Sequence, residues 1–195
     1  GYGLSVESEL TMLRAIRQAS GNTKADLVPT CLAAHIKPKD FIGTGTEYLA
    51  MLIEKLLPAV KAENLAHRVD IYVDQGAFNA EEARFYLEAA KALGFVITVH
   101  ADQFSPGGLK LAMEMGASSA EHLEATTDKD LRHIPQSGVI PVALPGASLG
   151  LGTDFAPARK ILDTGASLVI ASDWNPGSAP MGNLLTQAAL LGVYE

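Results

Sequence analysis

Three side chains close apolar runs in this chain and could do chemistry together. His100 ends FVITVHAD (95–102), His122 ends SSAEHL (118–123) and Asp173 ends SLVIASD (167–173). A neutral imidazole and a carboxylate are the ligands that suit Zn²⁺ or Fe, and a catalytic metal takes about three protein ligands plus water. By spacing alone the set is incomplete. None of the five histidines (35, 67, 100, 122 and 133) forms an H-x-H pair, so further ligands would have to come from sequence outside this chain. The plainer reading is a core strand whose last residues surface, and for one histidine alone it is the stronger one. His67 (LAHRVD) and His133 (DLRHIP) lie in charged, helical surroundings and read as solvated surface.

The stretch SDWNPGSAPMGN (172–183) is the most distinctive. Asn, Pro and Gly are ordinary turn residues, so a strand–helix turn explains most of it. It does not explain Asp173, which is costly at the end of a buried strand unless a cation or donors face it. The amides around Gly177 and Ser178 are expected to be free, near a helix N-terminus, to receive an anionic substrate group.

These residues need elements to carry them. Six apolar runs alternate with helical patterns: 27–35, 69–74, 95–102, 118–123, 138–144 and 167–173. Most are β-branched without strict alternation, as parallel strands covered on both faces are. Helix ends are readable. Asn79 followed by Glu82 and, later, Gly94 marks a helix over 79–93. Thr127 with Asp130 is a weaker start signal, and Pro157 suits the first turn of a helix ending before Gly165. Residues 6–19 place Leu10, Leu13 and Ile16 on one stripe. The longest helix spans 47–63, and Pro58 is expected to kink it or end it early.

Strand–helix alternation with short loops predicts a parallel sheet with right-handed crossovers. An open doubly wound sheet and a (β/α)8 barrel both fit that order. No G-x-G-x-x-G follows a strand, so a dinucleotide site has no support. His35, Asp74, His100, His122 and Asp173 close five different strands. A barrel brings all such ends to one mouth, whereas an open sheet collects only those beside its switch point. The barrel is therefore the expected architecture, with six of its eight strands visible.

Composition narrows the class. The chain has 195 residues, 48% hydrophobic and 19% charged, with a formal charge of −7, which describes a folded domain. An acidic balance (pI ≈ 5.2) without a Lys/Arg cluster argues against nucleic acid. No apolar run reaches the ~18 residues of a membrane span and no signal peptide opens the chain, so a cytoplasmic protein is expected. Cys31, the one cysteine, excludes an internal disulfide and reads as buried filler. The chain opens with GYGLSVES and stops at LLGVYE, part-way along a helical pattern. A piece of a longer protein is the expectation.

Taken in order, GYGL (1–4), AAH (33–35), DQGAF (74–78), VHADQF (99–104), the glycines at 107–108, EHL (121–123), LPGA (144–147) and SDWNPG (172–177) resemble the imidazolonepropionase family of the amidohydrolase superfamily. The resemblance covers essentially the whole chain. It implies a TIM-barrel-like (β/α)8 amidohydrolase barrel, of which residues 1–195 are strands 3–8 with their helices. Strands 1 and 2, with an H-x-H motif, and a flanking β domain are expected outside the chain. It further implies a hydrolase of histidine breakdown acting on 4-imidazolone-5-propanoate with one Zn²⁺ or Fe ion, Fe³⁺ included, and leaves room for a homodimer. By resemblance His100 and Asp173 are metal ligands, and Asp173 and His122 are catalytic. Tyr2, His35, Gln103, Asn175, Gly177 and Ser178 are substrate contacts. Gln103 departs from the pattern, since the family commonly has glutamate there; a glutamine hydrogen-bonds but carries no proton. The competing readings are another amidohydrolase, such as a nucleobase-type deaminase, and a non-catalytic α/β domain.

Overall fold

The structure, a computed structural model, describes residues 2–195, so Gly1 of the GYGL motif lies outside the described residues. All six expected strands form: β1 (Thr30–Ala34), β2 (Arg68–Val73), β3 (Val96–Ala101), β4 (Ser119–His122), β5 (Ile140–Ala143) and β6 (Val169–Ile170). Their order in the sheet is their order in the chain, and the pairings β1–β2, β4–β5 and β5–β6 are parallel. This is the parallel α/β class that the alternation predicts. The chain divides into two compact units, residues 1–98 and 99–195, and the division falls within β3.

In the first unit, α1 (Val6–Ser20) is capped by Ser5, whose hydroxyl accepts from the Ser8 amide, and buries Leu10 and Leu13. The long helix expected over 47–63 is present as α2 (Gly45–Met51), a π-helical turn (Leu52–Leu56) and α3 (Leu57–Ala62). The helix therefore runs through Pro58. Proline removes one donor and crowds the carbonyl four residues back, and the wider π turn immediately before it accommodates both effects. Helix α4 (Ala80–Ala92) starts as expected, with reciprocal Asn79 and Glu82 capping bonds. Tyr48, Leu52, Leu56, Ile71, Phe78, Tyr86 and Leu87 are fully or almost fully buried. Cys31 is also buried, and burial pushes its thiol far up, as inert filler requires.

The second unit contains α5 (Gly108–Met115), α6 (Asp128–Leu131), α7 (Ile134–Ser137), α8 (Pro145–Leu151), α9 (Ala158–Asp163) and α10 (Leu184–Tyr194). Thr127 caps α6 through the Asp130 amide, as read from the sequence, whereas Pro157 is the N-cap of α9, one residue before the first turn expected for it; α9 ends before Gly165, as expected. Val142, Leu144, Ala147 and Ala179 form one apolar cluster, with Ala171 against it. Beside it, buried Gln187 of α10 accepts from the Gly146 amide at 2.5 Å and donates to the Met181 carbonyl at 3.1 Å. A Cβ at Gly146 would meet the Gln187 amide at 2.4 Å, which explains the glycine in LPGA. His67 and His133 are exposed, as expected.

Candidate functional site

The site residues fall on strand ends, and the backbone there is unusual. Among the described residues, the non-glycine positions with positive φ are Asn64 and five at the ends of β3, β4 and β6: Asp102 (53°), His122 (82°), Leu123 (74°), Asp173 (58°) and Trp174 (33°). Side chains other than Asn and Asp rarely adopt this region, at a cost of about 1–3 kcal/mol each, and such positions cluster where a side chain must be aimed. β6 spans only Val169–Ile170 of the run 167–173.

In the first unit, Tyr2 and His35 are brought together. Their rings stack with centroids 4.1 Å apart and an interplanar angle of 23°. Tyr72 stacks on the other side of His35, at 5.0 Å and 21°. The parallel register, with Ala34 opposite Ile71, explains that neighbour. Periodicity marked Tyr72 only as a strand residue, so its role in holding the imidazole emerges from the pairing. The segment bearing Tyr2 is tied down by Glu9 of α1, whose carboxylate accepts from the Gly3 amide and the Leu32 amide, both at 2.6 Å. Burial pushes the Glu9 carboxyl above its ordinary range, against the lowering effect of the Leu32 and Gly3 amides.

In the second unit, His100 and His122 lie side by side, ring centroids 5.4 Å apart and tilted by 48°. A carboxylate oxygen of Glu121 lies within 4.8 Å of a His100 ring nitrogen, and Ser119 donates to Glu121 at 2.5 Å. Glu121 belongs to the EHL motif, yet its nearness to His100 was not legible before the strands were placed. Asp102 is the anchor of this region. Its Oδ1 accepts from the amides of Gly108 and Leu109 at 2.7 and 3.1 Å, and its Oδ2 accepts from the Thr126 hydroxyl at 2.8 Å. The Ala125 amide donates to its carbonyl at 2.7 Å. One buried residue thus joins the end of β3, the start of α5 and the loop after β4. Gly107, at φ 126°, makes the turn into α5. Burial raises the Asp102 carboxyl pKa, opposed by the Thr126 hydroxyl and the α5 amides. Gln103 follows Asp102 and is half-buried.

The loop after β6 differs from expectation in one respect. The Gly177 amide donates to Asn175 Oδ1 at 2.9 Å, and the Ser178 amide donates to the Asn175 carbonyl at 3.3 Å. These two N–H groups are spent within the turn, because the Asn175 side chain closes it on itself. Helix α10 begins only at Leu184, capped by Asn183. An anionic group is therefore not met by free amides at Gly177 and Ser178. The Ser178 hydroxyl instead lies 3.4 Å from Asp173 Oδ2, as donor. Gly150 of α8 allows this loop its place, since a Cβ there would fall 1.6 Å from the Ser178 carbonyl oxygen. A surface cavity of about 740 Å³, lined by Lys110, Glu114, Lys129, Arg132 and His133 among others, includes none of the strand-end residues.

His100 and Glu121 bring an imidazole nitrogen and a carboxylate oxygen within 4.8 Å of one another, donor types that suit a borderline transition-metal ion. No helix of the described residues is long and apolar enough to cross a membrane.

No family model matches the chain. It is 42% identical over 186 residues to an imidazolonepropionase of Alkaliphilus oremlandii, covering 94% of this chain and 44% of that protein. An imidazolonepropionase of Streptococcus gordonii is 43% identical over 186 residues, with 94% and 60% covered. One from Rubrobacter xylanophilus is 44% identical over 180 residues, with 92% and 43% covered. The chain therefore spans about half the length of these relatives. Among solved structures, 5-methylcytosine deaminase from Klebsiella pneumoniae matches with a TM-score of 0.68 at 18% identity, over 94% of this chain and 49% of that one. Guanine deaminase from C. acetobutylicum gives 0.68 at 14%, over 90% and 46%. A triazine hydrolase variant gives 0.70 at 13%, over 99% and 47%. At such identities these likenesses carry the fold alone: the α/β barrel class of amidohydrolases, with this chain spanning about half of each. By sequence the chain is similar to imidazolonepropionases over about half of their length, and by fold it is similar to the barrels of these solved hydrolases and deaminases.

Proposed function

We propose that this chain is the strand 3 to strand 8 portion of an imidazolonepropionase, which hydrolyses the ring amide of 4-imidazolone-5-propanoate to N-formimino-L-glutamate. The observation that carries the reading is the 42% identity over 94% of the chain to a protein of that name. His100 and Asp173 would hold one Zn²⁺ or Fe ion, with the remaining ligands supplied from outside residues 1–195. When bound, such an ion lowers the pKa of a coordinated water toward ~7 and so supplies hydroxide at neutral pH.

The chain's own residues do the rest. Asp173 takes the proton from the attacking water on one carboxylate oxygen. As the new C–O bond forms, His122 hydrogen-bonds the oxygen of the ring carbonyl, where negative charge develops. The C–N bond then breaks, and Asp173 returns its proton to the departing ring nitrogen, which leaves a carboxylic acid and an open formimino group. Tyr2 and His35 offer a stacked aromatic face to a flat five-membered ring. Gln103 hydrogen-bonds that ring as donor or acceptor. Asn175, Gly177 and Ser178 form the turn beside Asp173, and the side-chain amide N–H of Asn175 and the hydroxyl of Ser178, in place of the spent backbone amides, meet the propanoate arm.

Turnover assays of the intact protein test this directly. Hydrolysis of 4-imidazolone-5-propanoate, with guanine and cytosine left unchanged, is the expected result. Release of ammonia from either nucleobase at a higher kcat/KM would replace this reading with a deaminase.

A further inference from the structure

We propose that Glu124 is the positioning residue for His122: backed by Ser148, its carboxylate accepts from Nδ1–H of the imidazole and so fixes the ring plane presented at the end of β4. The inference rests on the catalytic role given to His122 above and extends it to residues outside the resemblance.

The backbone brings the pair together. His122 and Leu123 both adopt positive φ, 82° and 74°, and this reversal returns residue 124 to the ring it has just passed. Glu124 Oε1 lies 3.6 Å from His122 Nδ1, and the two side chains are 3% and 4% exposed. The Ser148 hydroxyl, on α8, donates to the same Oε1 at 2.8 Å. The other carboxylate oxygen, Oε2, is buried without a hydrogen-bond partner, as is His122 Nδ1.

A buried carboxylate with one hydroxyl donor is under-satisfied, and so is a buried ring nitrogen with none. Each supplies what the other lacks. The gap is a few tenths of an ångström beyond hydrogen-bond length, which a small rotation of the ring closes. The partner of one ring nitrogen decides where the imidazole keeps its proton. With Nδ1–H held by Glu124, Nε2 is the atom left for the substrate, and the ring donates from it to the carbonyl oxygen as the imidazolium. Carboxylate–histidine pairs of this kind orient ring ligands and ring catalysts alike. The stored backbone strain at 122–123 has a purpose on this account, because an extended chain would carry Glu124 away from the ring.

The test uses the intact protein and five variants: E124A, E124Q, S148A, H122N and the double variant H122N/E124A. E124A is expected to lower kcat at least 30-fold with KM within about threefold. E124Q should recover part of the loss, because its amide oxygen still accepts from Nδ1. In the H122N background, E124A should cost no further factor beyond about two. A second readout needs no substrate. In ¹⁵N-histidine-labelled protein, His122 Nδ1 should carry a proton in the parent and should lose it in E124A. Should E124A fail to fold, the milder variants E124Q and S148A carry the same spectrum. Unchanged protonation of His122 Nδ1 in every variant, or the same loss from E124A with and without His122, overturns the proposal. A parent that leaves 4-imidazolone-5-propanoate untouched, yet carries the Nδ1 proton that E124A loses, overturns the hydrolase reading and upholds this one.

Discussion

Gln103 stands where the resemblance implies a glutamate, and it separates two mechanisms. If Asp173 moves the proton, position 103 only orients the ring. Gln103→Glu should then leave turnover within about tenfold of the parent, ~1.4 kcal/mol in barrier. Gln103→Ala should raise KM by a similar factor through loss of one hydrogen bond. Asp173→Asn should cost several orders of magnitude in kcat with either residue at 103. Steady-state kinetics of the three variants decide the matter. A hundredfold gain from Gln103→Glu, together with an active, metal-loaded Asp173→Asn, would move the base to position 103.

At the scale of elements, two contacts hold the pieces that carry the site. Glu9 joins α1 to the Tyr2 segment and to β1 through the Gly3 and Leu32 amides. Its folded-state pKa lies above the ordinary 4.5, chiefly through burial, so the folded chain keeps this proton to higher pH than the unfolded chain does. Stability from this group is therefore full below pH 4.5 and falls as pH rises through the folded value. Urea unfolding of the parent and Glu9→Gln across pH 4–8 should show the parent's advantage shrinking with rising pH and then levelling. A parallel pair of curves would mean that Glu9 ionises alike in both states. The second contact is Gly150 against the Ser178 carbonyl. Gly150→Ala forces α8 and the 173–178 loop apart, and overpacking of this kind costs about 1–3 kcal/mol. Its urea midpoint should fall accordingly, and kcat should fall with it, because the loop carries Asp173.

At the scale of the whole molecule, a chain that spans about half of its relatives brings two of the four metal ligands in the proposed set, His100 and Asp173, the other two being the H-x-H histidines expected outside it. Residues 1–195 alone should therefore hold Zn²⁺ or Fe poorly, whereas the intact protein should carry one ion per chain. Elemental analysis after gel filtration measures both. His100→Ala should strip most of the ion from the intact protein, and full occupancy in that variant would remove His100 from the ligand set. Each of the two compact units has its own buried apolar side chains, so these substitutions at strand ends should leave the far-ultraviolet circular dichroism unchanged.

The sequence by itself determined the six strands, their parallel order and the helix starts at Asn79 and Thr127, because apolar runs, capping residues and short loops are local signals. It also determined which residue types stand at the strand ends, and so the class of chemistry. Tertiary structure alone decided which of these residues meet. Tyr72 reaches His35 through the β1–β2 register, Glu121 lies near His100, and Glu124 turns back to His122 through two left-handed residues. Asp102 read as one polar residue of VHADQF, whereas the fold makes it the anchor of three segments. The Gly177 and Ser178 amides looked free in the linear chain, but Asn175 consumes them. The physical reason is common to all of these. Periodicity encodes which face a side chain takes, while its partner across the fold depends on register and backbone reversal, which no local pattern records.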